Sequence, residues 1–195
     1  EGDLGRLKQA FVDFLHNRPF YGLAVLCSDD DNTREIIPQT GRRIVSYGLG
    51  ERADLRAVDV ERGGLSTRFK VVGRERDKPL DVELNLPGLH NVSNALAAIA
   101  VAGELGIADE AVCRALKEFS GIDRRLQIVG NVTTAHGPVT FVDDYGHHPT
   151  EVAATIAAAR DAWPGRRLVV AFQPHRYSRT QALLDDFARV LSTVD

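Results

Sequence analysis

Residues 139–180 read VTFVDDYGHHPTEVAATIAAARDAWPGRRLVVAFQPHRYSRT, and this stretch decides the predicted fold. Val139 to Val142 and Leu168 to Phe172 are apolar runs typical of buried strands, and each leads into a polar loop. Between them, Thr150 to Trp163 predicts a helix that Pro164 and Gly165 end. A strand, helix and strand of this length predict a right-handed crossover with parallel strands. Both loops are then expected at one sheet edge, where α/β sheets bind ligands.

The second loop places two arginines beside a predicted helix start. Ser178 is followed three residues later by Gln181, and this spacing predicts a capping box. Arg176 and Arg179 then lie at the positive end of the helix dipole, where cations are disfavoured and an anion is favoured. The pattern indicates an anion site, with two solvated surface arginines as the alternative.

Three histidines in these loops raise the question of a metal site. His147, His148 and His175 are expected at the same sheet edge. Adjacent loop histidines seldom ligate one ion, and no cysteine, glutamate or HExxH spacing accompanies them. We therefore predict no metal ligands in the chain.

The amino-acid composition of the chain argues against a nucleic-acid-binding surface and a membrane span. The 195 residues carry a net charge of −3 and are 44% hydrophobic, a balance typical of globular proteins. The few lysines are scattered, so the chain lacks the clustered basic charge of a nucleic-acid surface. The longest small apolar run, 95–103, is too short to cross a bilayer.

Two further features of composition concern where the protein acts and how it is processed. Cys27 and Cys113 lie far apart in apolar settings, so we expect reduced thiols and a cytoplasmic location. The chain contains no methionine and begins at Glu1, and its last residues end a helix that no strand follows. We expect further sequence on both sides.

The first third of the chain predicts an amphipathic helix and two strands. Leu7, Phe11, Phe14 and Leu15 have helical spacing, and 22–27 and 44–47 are apolar strand runs. The acidic turn 28–32 is expected to cap a short helix at 34–37 rather than to bind a cation.

Two alternating segments follow, at 65–71 and 80–86, and they predict an antiparallel hairpin. Their polar faces carry opposite charge, so Arg68 and Lys70 are expected to face Asp81 and Glu83. We assign this region a structural role only.

A nearly apolar helix is predicted from Leu89 to Leu105, and a buried position is expected for it. Its first turn carries His90, Asn91 and Asn94. A carboxamide pairs bidentately with an adenine edge, although a simple helix cap is the alternative for Asn91. After a helix that starts at Asp109, residues 121–125 are expected to form a hinge in which one of two adjacent arginines reaches a phosphate.

Four stretches together resemble the Mur ligases of peptidoglycan synthesis, across nearly the whole chain. They are GLHNVSN at 88–94, GIDRR at 121–125, DDYGHHPT at 143–150 and FQPHRYSRT at 172–180. The first is shared widely in the family, whereas the last two are similar to the members that attach L-alanine.

The resemblance implies an α/β fold in two parts. Residues 1–122 would belong to a P-loop-type central ATPase domain with an antiparallel hairpin region. Residues 123–195 would begin a Rossmann-like, parallel-sheet C-terminal domain that binds the amino acid. The implied reaction uses ATP to convert the carboxylate of UDP-N-acetylmuramate to an acyl phosphate, which L-alanine attacks to form an amide.

The resemblance also implies roles for ten residues. The adenine and nucleotide contacts would be His90, Asn91, Asn94, Arg125 and Asp144, of which Asp144 meets the ribose. The alanine carboxylate and the developing negative charge would be held by His147, Arg176 and Arg179, with Tyr145 and His175 beside them. The GxxxxGK[ST] phosphate loop is absent from 1–195, so it and the Mg²⁺ ligands are expected outside the chain, which should not catalyse alone.

Three alternative functions are open at this point. A ligase of the same family that recycles murein tripeptide would use the same sugar nucleotide. A nucleotide-binding module without chemistry and a metal-binding protein are alternatives from other classes. The sequence does not determine the oligomeric state.

Overall fold

A five-stranded sheet forms the centre of the first part of the chain in the computed structural model, which describes residues 3–74 and 76–194. Its order is β1-β2-β3-β4-β5, and the β1–β2 and β2–β3 pairs are parallel. The strands are β1 Ala24–Cys27, β2 Ile44–Gly48, β3 Leu55–Gly63, β4 Ser66–Gly73 and β5 Leu80–Leu84.

Helices α1 (Leu4–His16) and α2 (Asp31–Ile36) pack beside the first two strands. Val12, Leu15, Ala24 and Ile36 form a buried cluster there. A short 3-10 turn follows α2 at Ile37–Gln39. Because α2 connects β1 to β2, the two strands run parallel, as a helical crossover requires.

The acidic turn before α2 caps that helix, as predicted. The carboxylate of Asp30 accepts the N–H of Thr33 at 2.8 Å, and this bond is the main reason that the pKa of Asp30 lies below its ordinary value. Asp29 accepts the N–H groups of Leu49 at 2.8 Å and Gly50 at 3.1 Å, and so ties the turn to the end of β2. Both carboxylates are engaged with backbone donors.

The predicted facing of the two polar strands is confirmed, but a third strand also takes part. Arg68 lies 3.7 Å from Glu83, as expected, whereas Lys70 hydrogen-bonds Asp59 at 2.9 Å. The pKa of Lys70 is raised by Asp59 and, more weakly, by the charge of Asp81. Asp59 belongs to β3, a strand that the sequence analysis missed although Leu55 and Ala57 alternate with more exposed neighbours. Because β3 lies next to β4 in the sheet, the carboxylate of Asp59 reaches Lys70 directly.

Two helices complete the sequence up to residue 118: α3 (Leu89–Glu104) and α4 (Asp109–Glu118). The expectation that α3 is buried all round is wrong, because Val92, Leu96 and Ile99 are buried whereas Val101 is 46% exposed. Two 2.7 Å bonds from Arg76 to Asp109 hold the start of α4. None of the helices in the described residues is both long and apolar enough for a membrane span.

The remainder of the chain holds a hairpin and three helices. Strands β6 (Gln127–Thr134) and β7 (Gly137–Asp143) pair antiparallel, and α5 (Pro149–Ala162), α6 (Tyr177–Ala182) and α7 (Leu184–Leu191) follow. The predicted parallel crossover is therefore wrong: β7 pairs with its neighbour in sequence. Its apolar residues are not buried either, since Phe141 is 53% exposed.

Residues 168–172 do not form a strand, and this also contradicts the predicted crossover. They keep a strand-like alternation, because Leu168, Val170 and Phe172 pack against a cluster that includes Val152 and Phe187. The rings of Phe172 and Phe187 lie 5.1 Å apart. The burial of these side chains against α5 and α7 therefore explains the apolar alternation without a sheet partner.

The chain divides into two units. Unit 1 runs to Glu61 and also contains Arg68–Leu84 and Asn91–Lys117. Unit 2 contains Arg62–Thr67, Asn85–His90 and the chain from Glu118 onward.

Gly88 lies at a tight contact between two segments of unit 2. Its φ is +94°, and a Cβ there would lie 2.8 Å from Cε1 of His90 and 2.9 Å from Cβ of Ala158 on α5. Gly165, in the turn after α5, also has a positive φ of +73° but no atom within 4 Å of an added Cβ. Of these two glycines, only Gly88 combines a positive φ with close contact to other residues.

We expect Gly88→Ala to lower the free energy of unfolding of unit 2 by about 3 kcal/mol, from backbone strain and overpacking together. Gly165→Ala, the matched control, should cost about 1 kcal/mol from backbone strain alone. Trp163 is the only tryptophan of the chain and lies at the end of α5, so its fluorescence in urea follows unit 2. Equal losses in the two variants would contradict the close packing at Gly88.

Candidate functional site

Asp144 anchors the loop that follows β7. One carboxylate oxygen accepts the N–H of Leu126 at 2.9 Å, and the other accepts the N–H of Gly146 at 2.7 Å. A Cβ on Gly146 would lie 2.8 Å from that second oxygen, so the close approach requires glycine. The loop is thereby fixed to the segment that precedes β6.

Glu151, in the first turn of α5, holds the other end of the loop. Its Oε2 accepts the N–H groups of His147 at 2.9 Å and His148 at 3.1 Å, and its Oε1 lies 3.9 Å from Nη1 of Arg125. Burial raises the pKa of Glu151, but these backbone bonds and the charges of His147 and Arg125 outweigh it, so the pKa lies below its ordinary value. The carboxylate is ionised at neutral pH.

Sequence reasoning missed Glu151. The signal was present, because the glutamate stands three residues after the N-cap of α5 and completes a capping box. The N-cap is His148, whose Nδ1 accepts the N–H of Thr150 at 3.3 Å. Histidine is not among the usual N-cap residues, so the pattern does not stand out in the sequence.

The ring of His147 is oriented by its own loop. Its Nδ1 lies 3.1 Å from the carbonyl oxygen of Tyr145 and 3.6 Å from Oε2 of Glu151. The rings of Tyr145 and His147 meet edge to face with centroids 5.4 Å apart. The Arg124 guanidinium lies 4.7 Å from the centre of the Tyr145 ring, and the Arg124 carbonyl accepts the Tyr145 N–H at 2.8 Å.

Arg179 connects the second loop to the first. Its Nη1 donates to the carbonyl oxygen of His147 at 3.4 Å. The two polar loops are therefore neighbours, as the sequence analysis expected, although no parallel strand pair brings them together. Helix α6 and the His147 loop supply the contact instead.

The start of α6 differs from the prediction. The N-cap is Arg176, with φ +68° and no side-chain cap, and Ser178 lies inside the helix. The predicted Ser178–Gln181 capping box is therefore wrong. The carbonyl of Arg176 accepts both the N–H and the hydroxyl of Thr180 at 3.1 Å. His175 and Arg176 are exposed, and within residues 3–74 and 76–194 neither side chain makes a hydrogen bond with the His147 loop.

Unit 2 contains three of the residues predicted to contact the nucleotide, which are His90, Arg125 and Asp144. Burial lowers the pKa of His90, Asp144 opposes the change, and the charge of Arg125 lowers the pKa further. The ring packs over Gly88 and is neutral at neutral pH. A neutral ring is suited to contact with an uncharged base.

Asn91 and Asn94 follow on α3 and belong to unit 1. The helix begins at Leu89, so Asn91 lies in its first turn and not at the N-cap position. Asn91 is half-buried and Asn94 is exposed.

Metal binding has no support in the described ranges 3–74 and 76–194. No group of three or more histidine, cysteine, aspartate or glutamate side chains is placed to hold an ion there. The arrangement of His147, His148 and Glu151 is one of backbone capping, and these residues do not fit a Mg²⁺ site.

Two domain models match the chain in succession. The Mur ligase middle domain matches residues 2–102, and the Mur ligase glutamate ligase domain matches residues 124–195. The chain belongs to the Mur ligase family. Its mixed α/β fold, with a sheet that contains parallel strands and a separate antiparallel hairpin, agrees with this assignment.

Solved Mur ligases share the fold. UDP-N-acetylmuramate-alanine ligase MurC of Thermotoga maritima is 28% identical with a TM-score of 0.77, and the match covers 100% of this chain and 40% of that one. A murein peptide ligase of Psychrobacter arcticus is 26% identical with a TM-score of 0.62, covering 90% and 36%. MurF of Thermotoga maritima in complex with ADP, 19% identical with a TM-score of 0.77, covers 100% and 43% and is similar in fold alone. This Mur ligase chain thus spans about two fifths of their length.

We expect Asp144→Asn to destabilise unit 2 by about 2 kcal/mol, because the amide has one acceptor oxygen and leaves one N–H unpaired. Asp143→Asn is the matched control, since Asp143 is 45% exposed and pairs only with Arg124 at 3.2 Å. Asp143→Asn should lower the free energy of unfolding by less than about 1 kcal/mol. Urea unfolding followed by Trp163 fluorescence measures both, and similar losses would contradict the anchoring role of Asp144.

Proposed function

We propose that this Mur ligase is part of an ATP-dependent enzyme of peptidoglycan precursor synthesis that joins L-alanine to UDP-N-acetylmuramate. The observation that carries the proposal is the match to the alanine ligase of Thermotoga maritima, which extends over the entire chain. The contact between Arg179 and the His147 loop supports it, because it brings the two most specific sequence stretches together.

The proposed reaction forms one amide bond. ATP supplies a phosphoryl group to the muramate carboxylate, which becomes an acyl phosphate. The alanine nitrogen then forms a C–N bond to the acyl carbon as the C–O bond to phosphate breaks, and the products are the amide, ADP and phosphate. The protein contributes orientation of the two reactants and stabilisation of the negative charge that develops on the acyl oxygen.

The amino-acid end of the site is assigned to unit 2. We propose that His147, Arg176 and Arg179 hold the alanine carboxylate and the developing negative charge, with Tyr145 and His175 beside them. Arg125 lies 3.9 Å from Glu151 with half of its side chain exposed, a weak pair that leaves the guanidinium available to an anion.

The nucleotide end is assigned to His90, Asn91, Asn94, Arg125 and Asp144. The neutral ring of His90 and the two carboxamides suit an adenine base. Each oxygen of Asp144 already accepts one N–H, and its second lone pair is open to a ribose hydroxyl. The GxxxxGK[ST] motif does not occur in residues 1–195, and the five residues are proposed to contact the base and sugar of ATP.

The remaining parts of the enzyme are proposed to lie outside the chain. The phosphate loop would lie upstream of these residues and the Mg²⁺ ligands outside them, with 1–122 in the central domain and 123–195 in the C-terminal domain. Cys27 and Cys113 are free thiols, which supports a reducing, cytoplasmic location.

Ligation of murein tripeptide is the second candidate, because the Psychrobacter arcticus murein peptide ligase also matches 90% of the chain. Full-length protein supplied with ATP and UDP-N-acetylmuramate separates the two. The proposal expects ADP release with L-alanine, and inhibition by tripeptide only at high concentration. Tripeptide-dependent ADP release without any alanine reaction would contradict it, as would a protein that binds ATP and ligates neither.

In the full-length enzyme, Arg179→Ala and Arg176→Ala should each raise the KM for L-alanine about tenfold or more, because each removes a charge-assisted bond to its carboxylate. Arg189→Ala is the matched control, since Arg189 is exposed and pairs with Asp186 within α7. Steady-state kinetics with varied alanine measure the effect. Unchanged alanine saturation in both site variants would contradict the assignment of these two arginines.

A further inference from the structure

Glu151 does more than cap α5. A capping-box glutamate accepts the N–H of the N-cap residue, here His148 at 3.1 Å. The same Oε2 atom also accepts the N–H of His147 at 2.9 Å and lies 3.6 Å from Nδ1 of the His147 ring. The second bond and the ring contact are not part of helix capping, and both involve His147, a residue of the proposed amino-acid end of the site.

These contacts determine the tautomer of His147. Nδ1 lies 3.1 Å from the Tyr145 carbonyl oxygen and faces the carboxylate of Glu151, so its two nearest polar neighbours are both acceptors. An acceptor next to a ring nitrogen requires the proton on that nitrogen. The neutral ring therefore carries its proton on Nδ1 and its lone pair on Nε2.

We propose that Glu151 is a positioning residue, which holds His147 as the Nδ1–H tautomer so that Nε2 takes a proton from the amino group of the incoming amino acid. This inference rests on the proposed function. The ammonium N–H bond breaks, the proton moves to Nε2, and the freed lone pair forms the C–N bond. The leaving phosphate takes the second proton as its C–O bond breaks, and His147 returns its proton to water.

The charged surroundings of His147 suit this role. Glu151 faces it from α5, and Arg125 lies beyond Glu151 at 3.9 Å. Tyr145 contacts the ring edge, with Arg124 on the far face of that tyrosine. Arg179 on α6 donates to the His147 carbonyl oxygen. The ionised carboxylate is the one negative group among these neighbours, and it stabilises the imidazolium that forms during the transfer.

Glu151→Gln tests the role cleanly, because glutamine also serves in a capping box and its oxygen still accepts the two N–H groups. Only the negative charge is removed. The ¹⁵N chemical shifts of His147 in the 195-residue chain, identified by their loss in His147→Gln, report which ring nitrogen is protonated. We expect Nδ1–H in the wild type. In Glu151→Gln the Tyr145 carbonyl still accepts from Nδ1, but the loss of the negative charge that favours a proton on Nδ1 should raise the share of the Nε2–H tautomer.

In the full-length ligase, Glu151→Gln should lower kcat at least tenfold, since positioned proton transfer contributes about 10²–10⁴. The KM for L-alanine should stay within about twofold, the opposite of the arginine variants, because Glu151 does not contact the alanine carboxylate.

The possible results distinguish a failure of this inference from a failure of the proposed function. An active ligase whose glutamine variant keeps the wild-type kcat overturns the role of Glu151, and so does an unchanged His147 tautomer. A full-length wild-type protein with the Nδ1–H tautomer but no alanine ligation overturns the proposed function instead.

Discussion

Two carboxylates from one motif fix the conformation of the loop between β7 and α5. Asp144 accepts the N–H groups of Leu126 and Gly146, and Glu151 accepts those of His147 and His148. Bonds from backbone donors to ionised carboxylates are stronger than bonds between neutral groups. The direction of the His147 ring and the position of its carbonyl, which Arg179 contacts, both follow from this arrangement.

Local structure in this chain could be predicted from sequence because caps and periodicity act over a few residues. The cap at Asp30, the start of α4 at Asp109 and the end of α5 before Pro164 are examples. Strand pairing could not be predicted in the same way. Residues 168–172 have the apolar alternation of a strand, but β7 pairs with β6, from which it is separated by a short turn. Apolar pattern identifies which residues are buried and does not identify their partners.

The candidate site was predictable in part, for a related reason. The neighbourhood of Arg179 and His147 was expected from a crossover that does not exist, and a contact from α6 provides it instead. The hydrogen bond from Lys70 to Asp59 was not predicted, because β3 was missed. Glu151 was overlooked because histidine is an unusual N-cap residue, so the capping box of His148 and Glu151 does not stand out in the sequence.

Amide hydrogen exchange, measured residue by residue in the 195-residue chain, tests the central claim most directly. If the two carboxylates hold the loop, the amides of Gly146, His147 and His148 exchange slowly although the loop lies between regular elements. Asp144→Asn then accelerates exchange at Leu126 and Gly146, while Glu151→Ala accelerates it at His147 and His148. Rapid exchange of these amides in the wild type, or acceleration without this division between the two variants, would contradict the account.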